Sequence, residues 1–174
     1  MRLFFGLPLD RACARSLARI RKEPALAPGT RWVAPHNYHL TLHFCGEVAE
    51  SELGETQERG ARAAASCGPL EFRLEGLGVF PGLKRARVLW AGLRGQPEDH
   101  HSLRELALKL GNDSFQPHLT LGRFRRGAPQ GLSQVLEALR DHVWGSLSVQ
   151  SLHLYQSDLT PSGPIYRSLQ EWEL

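Results

Sequence analysis

Cysteine is scarce in this chain of 174 residues, and the few copies form no recognisable pattern. The three cysteines are Cys13, Cys45 and Cys67; their number is odd and no Cys-x-x-Cys motif occurs. The sequence therefore supports neither a disulfide framework nor a zinc-thiolate site. Because structural disulfides belong to oxidising compartments, the pattern favours a protein of the reducing cytoplasm.

Long apolar runs are missing as well. No segment approaches the roughly 20 apolar residues that a membrane-spanning helix needs, and the apolar run at residues 2–8 is too short for a signal peptide. Hydrophobic residues make up 41% and charged residues 22% of the chain, as in ordinary globular proteins. Since no linker-like stretch interrupts the sequence, we expect one domain over residues 1–174, a monomer that has no membrane partner.

Hydrophobic periodicity predicts a mixture of strands and helices. Asp10 is a candidate N-cap for the first helix, and Pro24, Pro28 and Gly29 predict a loop. Such a mixture predicts an α+β or α/β architecture. We expect strands at residues 2–8, 38–45, 71–80, 87–93, 118–124, 147–156 and 165–173, helices at residues 10–21, 50–66, 99–110 and 131–143, and a turn at residues 161–163.

The most informative feature is a repeated tetrapeptide. The sequence His-Leu-Thr-Leu occupies residues 39–42 and occurs again at residues 118–121, which is 79 positions later. Each copy lies in a predicted strand and is followed by a predicted helix. The repeat therefore predicts two similar lobes, each of which delivers one strand to a shared centre.

Strand alternation places the polar residues of each motif on one face. Residues i and i+2 of a strand point the same way, so His39 shares a face with Thr41, and His118 shares a face with Thr120. The four leucines point to the opposite face, into the core. If the two strands lie side by side, two imidazoles and two hydroxyls converge on one cavity.

That set of groups suits a phosphodiester. A neutral imidazole can take a proton from an attacking water while a charged imidazole gives a proton to the departing oxygen. Threonine hydroxyls can donate hydrogen bonds to the phosphate oxygens. This chemistry requires no metal or other cofactor. A single His-x-Thr is usually no more than a piece of strand, but two identical copies in matched contexts favour a functional interpretation.

With these motifs the chain resembles the two-histidine phosphoesterases, specifically the LigT-like RNA 2′,3′-cyclic phosphodiesterases, also called 2′-5′ RNA ligases. The paired motifs carry the resemblance, and other segments over nearly the whole chain support it. The segments are residues 2–5, 37–47, 87–92, 117–123 and 154–157.

The resemblance implies a bilobal α+β fold, with two pseudo-symmetric lobes of antiparallel sheet and outer helices around a central groove. It implies that His39 is the general acid, that His118 is the general base, and that Thr41 and Thr120 hold the phosphate. The substrate would be RNA that ends in a 2′,3′-cyclic phosphate, or a nucleotide, and the product would be a terminal 2′-phosphate. Reversible 2′-5′ ligation is also known in the family.

The resemblance also places Phe44 and Arg123, each five residues after a motif histidine, near the nucleotide. An aromatic face can stack on a base, and a guanidinium can bind phosphate. Strict alternation opposes this placement because an odd offset points to the opposite face, so a bulge would be required. The segment at residues 111–117 is shorter than the family pattern, which predicts a difference in substrate preference.

Further charged and metal-binding patterns are less specific. His39 and His43 would be roughly 13 Å apart on one face of a strand at about 3.3 Å per residue, too far to share one ion, so we expect no metal site. Two basic clusters could line the groove and hold an RNA backbone, but solvated surfaces have the same composition. The clusters are Lys84, Arg85 and Arg87, and Arg123, Arg125 and Arg126.

Two alternative functions stay open. One is a module that binds RNA or nucleotide without turnover; the presence of all four polar motif residues counts against it. The other is a cyclic phosphodiesterase that acts on a small nucleotide such as an ADP-ribose cyclic phosphate. An assay of turnover separates the first alternative from the leading hypothesis, and competing substrates separate the second.

Overall fold

Nine strands and four helices form in the computed structural model, which describes residues 1–161 and 163–174. Short 3-10 turns precede or connect several of them. The predicted turn at residues 161–163 includes Ser162, which lies outside the described residues. The strands are β1 Arg2–Pro8, β2 Thr30–Trp32, β3 His39–Glu47, β4 Leu70–Phe80, β5 Val88–Gly95, β6 Leu119–Phe124, β7 Val143–Val149, β8 Ser151–Thr160 and β9 Gly163–Glu173. The helices are α1 Arg11–Leu17, α2 Leu53–Ala64, α3 Pro97–Lys109 and α4 Leu132–Ala138.

The strands form two antiparallel sheets, one in each lobe. The first sheet has the order β3-β1-β8-β9 and the second has the order β2-β6-β5-β4-β7. Helix α2 packs on β8 and β9 of the first sheet, whereas α1, α3 and α4 pack on β7 and β4 of the second. The α+β bilobal fold that the sequence predicts is therefore confirmed.

The core lies between the sheets and their helices. Alternation buries Leu152 and Leu154 of β8, and Leu70, Phe72 and Leu74 of β4, on the helix-facing sides. Buried residues of both lobes belong to one continuous hydrophobic cluster. The opposite face of each sheet is thereby left for the groove. At the first helix, the Asp10 side chain accepts a hydrogen bond from the Cys13 amide, which confirms the predicted N-cap.

The structure departs from the predicted elements in three places. Thr30–Trp32 is a strand although no strand was predicted there, because three residues are too few for alternation to be visible. The helix predicted at residues 131–143 is shorter in the structure: α4 ends at Ala138, and the chain then enters β7 at Val143. The single strand predicted at residues 147–156 is two strands that meet at Gln150 and belong to different sheets. The buried positions shift there from Leu147 and Val149 to Leu152 and Leu154.

The sequence predicts no membrane-spanning helix. Among the described residues, every helix is too short and too polar to span a bilayer.

Candidate active site

The two motif strands come together from different sheets. His39 opens β3 at the edge of the first sheet, and His118 immediately precedes β6 of the second. The strands contact each other without forming a hydrogen-bonded ladder. The two motif strands are therefore not neighbours in one sheet, although they contact each other and place His39, Thr41 and Thr120 in the lining of one cavity.

The leucines of both motifs anchor the strands as alternation predicts. All four side chains are fully buried, whereas both threonines are half-buried on the opposite face. The buried leucines are Leu40, Leu42, Leu119 and Leu121.

Both imidazoles are held in the same way by the backbone. Nδ1 of His39 lies 2.8 Å from the Asn37 carbonyl oxygen, and Nδ1 of His118 lies 2.7 Å from that of Gln116. Because a carbonyl oxygen only accepts, Nδ1 carries a proton in each ring, and Nε2 is left to accept or donate according to the charge of the ring. In neutral His39 the Thr41 hydroxyl donates to Nε2 over 2.8 Å.

A register shift occurs at the same position of both motifs. The β1–β3 pairing skips Leu42, because Gly6 opposes Thr41 and Phe5 opposes His43. The β5–β6 pairing skips Leu121, because Trp90 opposes Thr120 and Leu89 opposes Gly122. Each skipped leucine is a β-bulge that reverses the alternation after it.

These bulges turn Phe44 and Arg123 toward the motif threonines. Phe44 is 63% exposed, and Arg123 is also exposed. Both line a cavity of about 510 Å³ together with His39, Thr41 and Thr120. The requirement for a bulge, which alternation imposed, is therefore met in both lobes.

The same bulge separates His43 from His39. His43 lines a second, smaller cavity beside α2 together with Cys45 and Arg59, on the opposite side of the sheet. The expectation that His39 and His43 share a strand face is therefore wrong. Within the described part of the chain, no cluster of three or more His, Cys, Asp or Glu side chains is arranged to hold a metal ion.

Among the lining residues that sequence reasoning did not anticipate are an arginine and two aromatic residues. Arg31 and Trp32 reach the cavity from β2, and Tyr166 reaches it from β9. Burial raises the pKa of Tyr166, so its hydroxyl stays a hydrogen-bond donor at neutral pH. Of the two basic clusters, only Arg123 is among the described residues that line the cavity. Alternation could have placed Tyr166 on the groove face of the predicted last strand, but no sequence pattern marked β2.

The His39 imidazole lies in an aromatic environment. Its ring centre is 4.8 Å from that of Phe4, 5.1 Å from that of Tyr166 and 6.1 Å from that of Tyr155. Burial lowers the pKa of His39, and the hydrogen bond to Asn37 only partly offsets this effect. In the free protein the neutral form of His39 is therefore favoured.

The surroundings of His118 differ from those of His39. It is half-buried and packs edge-on against Phe80 at 4.9 Å and Trp90 at 6.5 Å. His118, itself a described residue, does not line the cavity that holds Thr120. Since no bulge intervenes between His118 and Thr120, alternation nevertheless directs both to the same side of β6.

Comparison with known proteins agrees with this geometry. The model of the LigT-like phosphoesterase family matches residues 7–90 and 97–166. A protein of Archaeoglobus fulgidus named RNA 2′,3′-cyclic phosphodiesterase is 33% identical over 180 residues, which cover 99% of this chain and 100% of that protein. A protein of the same name from Aeropyrum pernix is 37% identical over 168 residues, covering 89% and 93%.

Solved structures give the same result. A crystal structure of a Thermus thermophilus protein superposes with a TM-score of 0.80 and 29% identity, and covers 100% of this chain and 98% of that one. Escherichia coli LigT in complex with ATP superposes with a TM-score of 0.78 and 28% identity, covering 99% and 96%. The paired motifs, the two sheets around one groove and these matches establish that the chain belongs to the family of LigT-like phosphoesterases.

Proposed function

We propose that this protein hydrolyses the 2′,3′-cyclic phosphate at the end of an RNA to a 2′-phosphate, by general acid–base catalysis without a metal. The observation that carries the proposal is the convergence of two His-x-Thr strands on a cavity whose described lining contains arginine and aromatic side chains and no carboxylate. Relatives at 33% and 37% identity bear the name of this activity. Crystals of Escherichia coli LigT contain 3′-AMP, which is a nucleoside phosphate.

The proposed proton transfers keep the acid and base that the family resemblance implies, and both use Nε2 because Nδ1 of each ring is bonded to a backbone carbonyl. Neutral His118 takes a proton on Nε2 from a water whose oxygen attacks phosphorus. The bond from phosphorus to the ribose 3′ oxygen breaks, and charged His39 gives its Nε2 proton to that oxygen. The overall reaction consumes one water and forms one 2′-phosphomonoester. Thr41 and Thr120 donate hydrogen bonds to the two non-bridging oxygens.

The low pKa of His39 is compatible with its role as the acid once substrate is present. Burial disfavours the imidazolium in the free protein. A phosphate anion beside the ring favours the imidazolium and so opposes the effect of burial. Protonation of His39 is therefore coupled to substrate binding, and kcat/KM is expected to be bell-shaped in pH, with the His39 limb below its usual value of about 6.5.

Replacement of either histidine tests the proposal. We expect His39→Ala and His118→Ala each to reduce kcat by about 10² to 10⁴, the range for one lost acid or base. The measurement is phosphorus NMR of a 2′,3′-cyclic nucleotide incubated with the protein, in the presence of EDTA. His101→Ala, on the exposed surface of α3, is the matched control and should retain full activity.

Several outcomes would contradict the proposal. Binding of the cyclic nucleotide without turnover by the wild type would make the protein a binding module. Loss of wild-type turnover in EDTA, restored by a divalent metal, would refute metal independence. Full activity in either histidine variant would remove that residue from the mechanism.

A further inference from the structure

Arg31 and Arg123 form a directly opposed pair of arginines across β2 and β6. The pairing of these strands aligns Thr30 with Phe124, Arg31 with Arg123 and Trp32 with Gly122. Opposed residues of an antiparallel pair project to the same face with their Cβ atoms about 5 Å apart. Both side chains are exposed, and both line the cavity. Two positive charges are therefore held next to each other at one edge of the groove.

This arrangement is unfavourable for the free protein. Like charges that face each other across a strand pair destabilise it. Among the described residues, neither Arg31 nor Arg123 forms an ion pair with a carboxylate, and the described lining of the cavity contains no Asp or Glu. The positive charge of Arg123 also extends to Tyr166, since it opposes the rise in the pKa of that hydroxyl. The unneutralised pair is thus suited to an anionic ligand.

Strand β2 holds Arg31 in place through its backbone. The Arg125 amide donates to the Gly29 carbonyl over 3.0 Å, and the Val33 amide donates to the Leu121 carbonyl over 2.9 Å. These bonds fix β2 at both ends against the strand that carries the second motif. Arg31 is therefore placed as firmly as Arg123, although it comes from a short edge strand.

The arginine pair lies away from the motif residues that face the reacting phosphate. Arg123 follows Thr120 by three residues, which corresponds to about 10 Å along an extended strand and somewhat less across the bulge. The reacting cyclic phosphate carries one negative charge, and in the proposed reaction two imidazoles and two threonine hydroxyls already interact with it. A pair of guanidinium groups at this distance is suited to a different phosphate of the same ligand.

We propose that Arg31 and Arg123 form a subsite for the phosphate on the 5′ side of the nucleotide that carries the cyclic phosphate. This inference rests on the proposed function, and it specifies the substrate class. The protein favours a cyclic phosphate that terminates an RNA chain, in which a 5′-side phosphodiester is always present, over a cyclic mononucleotide that has no such group. Arg31 is a specificity-determining residue of the groove.

A comparison of substrates tests the subsite. The three substrates are adenosine 2′,3′-cyclic phosphate, the same nucleotide with a 5′-phosphate, and the dinucleotide that has an internal phosphodiester and the same cyclic end. For the wild type, kcat/KM for the dinucleotide should exceed that for the unphosphorylated mononucleotide by at least about tenfold, the gain expected for charge-assisted bonds to phosphate. A gain for the 5′-phosphorylated mononucleotide alone, without one for the dinucleotide, would assign the subsite to a small nucleotide and overturn the RNA assignment.

The variants are Arg31→Gln and its matched control Arg125→Gln. Both remove one positive charge near the end of the β2–β6 pair, but Arg125 is not among the described residues that line the cavity. Arg31→Gln should reduce the preference for the dinucleotide about tenfold, whereas Arg125→Gln should keep it. An equal loss on substrates with and without the second phosphate would indicate a structural role and would overturn the proposal.

A binding measurement separates this inference from the proposed reaction. Calorimetric titration with adenosine 2′-monophosphate and adenosine 2′,5′-bisphosphate requires no turnover. The bisphosphate should bind more tightly to the wild type, and Arg31→Gln should remove the difference. If no cyclic nucleotide is hydrolysed but this difference is found, the reaction is refuted and the subsite stands. If hydrolysis occurs and the difference is absent, the subsite is refuted and the reaction stands.

Discussion

The residue opposite each motif threonine sets the environment of the neighbouring histidine. Gly6 opposes Thr41 in the first lobe, whereas Trp90 opposes Thr120 in the second. Because Gly6 has no side chain, the His39 imidazole can pack over the backbone of β1 and contact the Phe4 ring. In the second lobe the Trp90 indole lies over Gly78 of β4, and the His118 ring is 6.5 Å from it in a T-shaped arrangement. One glycine-to-tryptophan difference therefore gives two identical motifs unequal surroundings.

Gly6→Ala should displace the His39 imidazole. A Cβ at this position would lie 3.3 Å from Cδ2 of His39 and 3.1 Å from the Leu40 carbonyl oxygen, so the ring must move to accommodate it. A misplacement of about 1 Å costs about 10²-fold in rate; for the smaller displacement required here we expect kcat/KM to fall by up to roughly 10-fold. Steady-state kinetics on the cyclic nucleotide and NMR titration of the His39 ring measure the two effects.

Gly54→Ala is the matched control for this substitution. Nothing lies within 4 Å of a Cβ at Gly54, and it is a helical residue of α2. Alanine there should stabilise the protein by about 0.5–1 kcal/mol and leave the activity unchanged. Wild-type kinetics and an unaltered His39 titration in Gly6→Ala would show that Gly6 does not position the imidazole.

At the scale of elements, the two bulges are stabilised by segments that precede the opposite motif. The Leu42 carbonyl, which is skipped by the β1–β3 pairing, accepts a 2.7 Å hydrogen bond from Nδ2 of Asn112. The Leu121 carbonyl accepts from the Val33 amide. Asn112 lies in the segment before the second motif and Val33 lies just before the first. The first bulge is thus held by a segment of the second lobe, and the second bulge is held by the residue that follows β2 of its own sheet.

Asn112→Ala should weaken the first bulge. The Leu42 carbonyl would lose its partner, and an unsatisfied buried acceptor costs about 1–3 kcal/mol. We expect the free energy of unfolding to fall by about this amount, and kcat/KM to fall as well because Phe44 loses its fixed orientation. Urea unfolding and kinetics measure both. Asp113→Ala, at the exposed neighbouring position, is the control; equal behaviour of the two variants would contradict the role of Asn112.

Elements with regular alternation were predictable, and irregular ones were not. Leu40 and Leu42 show the burial that period two requires, because each strand face meets either helices or the groove. A bulge is invisible to periodicity, since residues 39–44 alone do not indicate which residue the neighbouring strand will skip. The break at Gln150 was missed because no Gly or Pro marks the passage of the chain from one sheet to the other.

At the scale of the whole molecule, the repeat predicts two lobes but not how they meet. Residues 39–42 and 118–121 indicate similar local environments. The first motif lies in β3 of the first sheet, and the second lies at the start of β6 of the second sheet. Whether those strands pair or face each other depends on contacts between distant segments. The Asn112 side chain, for example, donates to the Leu42 carbonyl over 2.7 Å and ties the segment before the second motif to β3. No local pattern encodes a contact of this kind.

Stability of the whole molecule should decline in mild acid. Burial lowers the pKa of four histidines in the folded protein, and charged neighbours modify the effect: Arg59 adds to it at His43, and Glu171 opposes it at His153. The four are His39, His43, His100 and His153. Above about pH 6.5 these side chains are neutral in both states, so stability is complete. Below that value the unfolded chain binds protons first, and the free energy of unfolding falls until the folded protein also binds them.

Urea unfolding at pH 7.5, 6.5 and 5.5 measures this dependence. The midpoint should fall with each step, mainly below about pH 6.5, and His43→Gln should reduce the slope because it removes one of the four groups. The same series in high salt is the control, since salt screens the repulsion among surface charges but not the cost of burying a charged imidazole. A midpoint that is constant or rises toward pH 5.5, or a decline that disappears in high salt, would contradict desolvation of these histidines as the cause.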